Sequence, residues 1–173
     1  MNPLMLILLL PFSPIASPQP SGGIRDVDFR NLTYLLDGQQ TTLRDGSAVV
    51  PDQADGIETR TVRLLEVAFG HLDSDFQEEA AVVLGYRGGG TGYFTRGYLY
   101  GLRNHRLVLL TTFKGGDRAV GGIDEVRIAD GRLEVVRNHP EAACCPDYRI
   151  ATWYRWNGRQ LRVVRTERRG LRK

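Results

Sequence analysis

The chain is short of lysine, of separated cysteines and of long apolar runs. Each shortage excludes something. Lys114 and Lys173 are its only lysines, so the base among its 23 Lys and Arg residues is almost wholly arginine. Against 20 acidic residues this leaves a formal charge of +3. Spread along the chain, so mild an excess does not predict a nucleic-acid partner. The two cysteines, Cys144 and Cys145, are adjacent, which excludes a framework of disulfides stapling distant segments. Within one chain they can pair only with each other, in a small strained ring that removes little entropy from the unfolded state. A vicinal Cys144–Cys145 disulfide is the expectation for an oxidising compartment. Two free thiols, or a bond to another chain, are the alternatives. The longest apolar run, residues 3–16, is too short to span a bilayer as a helix. The protein is therefore expected not to be integral to a membrane once its leader is removed.

That run carries no charge and is ended by Pro11 and Pro14, the pattern of a signal-peptide core. It departs from the pattern in two ways: no Lys or Arg precedes it, and Pro14 stands at −3 if cleavage follows Ala16. No Cys follows to carry a lipid anchor. The expected division is a signal peptide over 1–20, a flexible spacer over 21–26, one β-rich domain over 27–165 and a basic tail over 166–173 that frays. The expected location is periplasmic or secreted. About 150 residues remain after the leader, enough for one core. The 42% hydrophobic and 25% charged content is ordinary for a globular domain.

What is plentiful is glycine, 20 residues, placed mostly between short apolar runs. Val27, Phe29 and Asn31 alternate with Asp28 and Arg30, which predicts a strand over 27–34 and another over 41–47. Val62, Leu64 and Val67 mark a strand over 60–69, and Val82 and Val83 favour strand over helix in the run 79–86. Further strands are predicted over 93–102 and 107–113, followed by a glycine-punctuated loop at Gly115, Gly116 and Asp117. Asp130-Gly131 and Asn157-Gly158 each sit between apolar runs, the strongest short signal for a hairpin. The fold predicted is mainly β, a single antiparallel, hairpin-rich meander. One or two short helices hidden in 29–36 or 117–126 would make it α+β.

The most informative segment is 69–84, where Asp73-x-Asp75 and then Glu79 run straight into an apolar strand. Closely spaced carboxylates beside a strand point to a calcium loop or the remnant of one, since calcium takes six to eight oxygen ligands. The blander alternative is a solvated acidic turn, in which Asp73 and Asp75 hydrogen-bond the loop backbone and Glu79 faces an arginine.

Residues 70–83 resemble the GDLDGDGxEEAxV segment of a family of small secreted bacterial proteins that includes the LppP/LprE lipoproteins. The segment is also similar to single FG-GAP/VCBS-type calcium loops. Phe29-Arg-Asn-Leu-Thr-Tyr34, Cys144-Cys-Pro146 and Tyr154-Arg-Trp156 share the likeness. Asp73, Asp75 and Glu79 match the pattern, whereas His71, Ser74 and Phe76 stand where it has Asp, Gly and Gly. The resemblance implies topology and an exported address, and it brings no catalytic residues.

Other constellations carry less. Gly85 to Gly92 is glycine-rich but lacks the Lys-Ser/Thr ending of a phosphate loop and runs into a strand rather than a helix. Phe94, Tyr98 and Tyr100 share one strand face, as core or as an exposed aromatic platform. His139 with Cys144 and Cys145 matches no standard metal spacing. Nucleophilic chemistry by either cysteine, with His139 or His105 as base, rests on residue types alone. Arg159, Arg162, Arg165 and Arg168 recur every three residues, but in a strand they scatter over both faces as a charged edge. The expectation is thus an exported, non-catalytic accessory or binding protein of unknown ligand and partner, with no cofactor beyond the calcium candidate. A calcium-stabilised structural module is one alternative. A thiol-redox or hydrolytic enzyme centred on the cysteines is the other.

Overall fold

The computed structural model describes residues 22–51, 59–73, 75, 77–87, 92–117, 122–139 and 148–170. Two 3-10 turns, Ile24–Asp26 and Phe29–Asn31, lead into a hairpin of β1 (Thr33–Leu36) and β2 (Gln39–Thr42). Five strands then form an antiparallel meander: β3 (Ser47–Val50), β4 (Arg60–Gly70), β5 (Glu79–Arg87), β6 (Phe94–Arg103) and β7 (Arg106–Asp117). A second meander follows with β8 (Ile123–Ala129), β9 (Arg132–His139), β10 (Tyr148–Trp156) and β11 (Leu161–Arg169). The fold is mainly β, as the alternation predicts, but the strands divide into three sheets. Among the described residues no helix is long and apolar enough to cross a membrane.

Turn chemistry sets the pairings. Asp37-Gly38, Asp45-Gly46, Asn104-His105 and Asp130-Gly131 all have positive φ at both positions. A two-residue hairpin turn of right-handed twist requires that geometry. Asn157-Gly158 also marks a hairpin, yet only Gly158 has positive φ and Trp156 pairs with Leu161. Asn157 Oδ1 there accepts from the amides of Arg159 (3.0 Å) and Gln160 (2.9 Å), closing a wider loop.

The five-stranded sheet is buried on both faces, and β5 shows why its sequence reads as unbroken apolar. Ala80, Val82 and Leu84 face one core, with Tyr34, Leu36, Tyr98 and Tyr100. Ala81 and Val83 face the other, with Leu99, Val126, Leu133 and Val135 of the two meanders. The small hairpin covers the first core. Tyr34 Oη donates to the Phe29 carbonyl at 2.7 Å and Tyr98 Oη to the Leu35 carbonyl at 3.1 Å. Arg60 (3.0 Å) and Arg96 (2.6 Å) both grip Asp37 at its tip. The four-stranded sheet covers the second core, most closely where a Cβ on Gly70 would stand 2.7 Å from the Ile128 carbonyl.

Several expectations need correction. Residues 27–31 are not strand: Asp28 accepts from the Arg30 amide at 3.0 Å and the Asn31 side-chain amide at 2.7 Å, and this local bonding turns the chain. The segment 41–47 is the end of β2 and the start of β3, joined through Asp45-Gly46. Ile24 is buried to 3% exposure, so the last residues of the expected spacer belong to the fold. Thr166 to Arg169 are paired in β11 rather than frayed. Gly115 to Asp117 continue β7, where Gly115 is the extra residue of a bulge opposite Thr95 and Arg96. Any side chain on Gly115 would overlap the Thr95 backbone. A bulge at Leu65 likewise shifts the core-facing parity of β4 from Val62 and Leu64 to Val67 and Phe69.

Candidate functional site

The acidic loop joins the paired ends of β4 and β5, Gly70 and Glu79. It brings Asp73, Asp75 and Glu79 together: one carboxylate oxygen from each lies within 4.8 Å of the others. Calcium–oxygen distances of about 2.3–2.6 Å allow ligand oxygens up to about 5 Å apart, so one ion fits among the three. Ser74 and Phe76 lie outside the described residues.

The loop is ordered by its own carboxylates, as the solvated-turn alternative expects. Asp73 Oδ1 accepts from the Asp75 amide at 3.0 Å, and Asp75 Oδ1 from the Gln77 amide at 2.9 Å. His71 Nδ1 lies 3.2 Å from the Gln77 carbonyl oxygen, closing the loop at its base. Glu78 pairs with Arg25 at 2.6 Å, and that hydrogen bond holds its carboxyl below the usual range.

Glu79 differs from the other two. As the first residue of β5 it is fully buried, at 0% exposure. Its Oε2 accepts from the Leu72 amide at 2.8 Å, while Oε1 is buried with no hydrogen-bond partner. The arginine that the solvated-turn alternative expects opposite it is Arg103, which acts on its charge without bonding it. Arg103, at the end of β6, instead pairs with Asp75 Oδ2 at 3.2 Å. Burial pushes Glu79 up, the Leu72 amide opposes, Asp73 and Asp75 push further up, and Arg103 opposes; the balance stands at about 7. Burial also pushes Asp75 up, but the Gln77 amide, Asp73 and Arg103 outweigh it and hold Asp75 below the usual carboxylate range.

The site thus has the half-buried Asp73 and the exposed Asp75 at its mouth and the buried Glu79 as its floor. A hard cation entering it would meet oxygen ligands alone, the donor set calcium prefers. Arg103 and the Leu72 amide escape a reading of the sequence. Arg103 reaches the loop from 28 residues away through sheet register, and no local pattern marks it.

The other candidates separate. Tyr98 and Tyr100 are core, with Tyr34 edge-on to Tyr98 at 5.3 Å between centroids. Phe94 is 37% exposed but stacked on Tyr86. The aromatic-platform alternative therefore fails for the tyrosines. Arg165 lies over Trp153 and Arg168 over Tyr148, on opposite faces of β11. His105 is a turn residue between β6 and β7. Cys144, Cys145, the side chain of His139 and residues 88–91 lie outside the described residues, as does the leader over 1–20. No known protein family, curated protein or solved structure matches this chain.

Proposed function

We propose that this protein is an exported, non-catalytic accessory module whose acidic loop binds calcium through Asp73, Asp75 and Glu79. The observation that carries the reading is the Glu79 carboxylate, buried beside two other carboxylates with Oε1 unpartnered. A buried polar oxygen without a partner is costly. Three acidic groups within 4.8 Å repel one another as anions, and a divalent cation relieves both penalties at once. The export part of the reading rests on the uncharged apolar run 3–16 and on the likeness of 70–83 to secreted proteins.

Thermal unfolding in excess EDTA and then in millimolar calcium tests the proposal. Calcium bound by the folded state alone raises the midpoint by mass action. The expected rise is several degrees in the native chain and none in Asp73→Asn/Asp75→Asn. An equal rise in both proteins, or none in either, would reject the site.

A further inference from the structure

The opposite end of β5 carries a second feature. The four-stranded sheet covers Ala81 and Val83 but not the next residues on that face, Gly85 and Arg87. Register places Arg63 opposite Gly85 and Thr61 opposite Arg87. The bulge in β4 divides the two regions. Glu66 accepts from the Val126 amide at 3.1 Å beneath β8, while the extra residue, Leu65, stays in the open at 45% exposure. Tyr93, just before β6, folds back across the strands. A Cβ on Gly85 would overlap its hydroxyl, so glycine there makes room for the phenol.

Together Thr61, Arg63, Leu65, Gly85, Arg87 and Tyr93 line a cleft of about 390 Å³. Arg87 lies 5.4 Å from the Tyr93 ring centre. Neither Arg63 nor Arg87 has a carboxylate partner among the described residues. Other described arginines, Arg44 and Arg106 among them, also lack an ion pair; what distinguishes Arg63 and Arg87 is that both line one cleft. Burial raises the Tyr93 phenol, with Arg87 and Arg63 opposing. It therefore stays protonated at neutral pH and available as a donor.

We propose that this cleft binds a small ligand carrying an oxyanion, a carboxylate or phosphate group, on a compact aromatic or apolar body. The guanidiniums of Arg63 and Arg87 supply forked donors matched to such an anion. The Tyr93 ring and Leu65 supply the wall for the body, the mixture of apolar lining and few polar groups that small-ligand sites share. The site is independent of the acidic loop, which lies six residues away along β5, roughly 20 Å at strand rise.

The test is a titration of the full chain with inorganic phosphate, phenyl phosphate and benzoate, followed by the arginine Nε–H and tyrosine NMR signals. Saturable shifts at Arg63, Arg87 and Tyr93 are expected with an aryl probe, and the tighter of the two aryl probes assigns phosphate or carboxylate. Arg63→Gln and Arg87→Gln should each weaken binding about tenfold or more. Exposed Arg106→Gln should leave binding unchanged, and so should Asp75→Asn. No saturation by either aryl probe overturns the proposal. So does aryl binding no tighter than inorganic phosphate, or binding indifferent to both cleft arginines.

Discussion

The Arg103 guanidinium stands 3.2 Å from Asp75 Oδ2, so the acidic loop already holds a cation of its own. Both partners are about two-fifths exposed, and an exposed pair of this kind contributes within about 1 kcal/mol. Arg103→Gln should therefore change stability in EDTA only slightly. Its effect on calcium should be larger, because the guanidinium and the ion compete for Asp75 and repel each other. Calorimetric titration should find calcium several-fold tighter in the variant. Weaker binding would show that Arg103 organises the ligands rather than competing for them.

Glu79 makes a pH prediction for the metal-free protein. Its folded value of about 7 lies above the ordinary 4.5, so between those limits the folded state holds a proton that the unfolded state has released. Stability then falls as pH rises through that window and levels above it. At about 1.4 kcal/mol per pH unit the total is about 3 kcal/mol. Asp75 and Glu78, held low, act in the opposite sense, and only as pH falls through the acid range. Urea midpoints in EDTA should decline from pH 5 to pH 7.5 in the native protein and stay flat in Glu79→Gln. A native profile as flat as the variant's would mean that Glu79 is charged and solvated throughout.

Much of this fold is legible in the sequence because its turns are chemical. Asp-Gly at 37–38, 45–46 and 130–131 announces positive φ, and the apolar runs between turns have strand length. The central burial of β5 is legible as well, from its unbroken apolar run. What escapes reading is set by bulges and register. The bulge at Leu65 reverses which side chains of β4 face the core, and the one at Gly115 turns an apparent loop into strand. Asp73, Asp75 and Glu79 are close in sequence and so could be grouped by eye. The burial of Glu79 against the Leu72 amide is a matter of packing, and Arg103 arrives through the β5–β6 pairing, which no local pattern encodes.

The close packing of β8 over the end of β4 can be tested at Gly70. A methyl group there would stand 2.7 Å from both the Ile128 carbonyl oxygen and its Cγ2. Backbone cannot rotate away, so the sheets must separate, and overpacking of this kind costs about 1–3 kcal/mol. Gly23→Ala is the control, since a methyl group on Gly23 would meet nothing within 4 Å and its φ of −82° suits alanine. Urea denaturation should show a clear loss for Gly70→Ala and a change within about 0.5 kcal/mol for Gly23→Ala. Equal stability of the two would place the sheets farther apart than the structure has them.

The basic C-terminal segment offers the sharpest contrast between composition and structure. Five basic residues over 165–173 read as a fraying tail, yet Thr166 to Arg169 pair with β10 from Thr152 back to Arg149. Arg169 also reaches Glu134 Oε1 at 2.7 Å, and Glu134 is buried beneath it with Arg127 as its other partner. Removing residues 166–173 would strip one of two cations from a buried carboxylate and leave half of β10 paired on one side only, as an open sheet edge. A frayed tail can be lost for less than about 0.5 kcal/mol. Loss of this strand end should cost about 1–3 kcal/mol, the penalty of under-satisfying a buried polar group. Arg169→Gln alone should reproduce part of that loss. If truncation leaves the urea midpoint unmoved, the β10–β11 pairing beyond Arg165 contributes nothing and the segment behaves as its composition suggests.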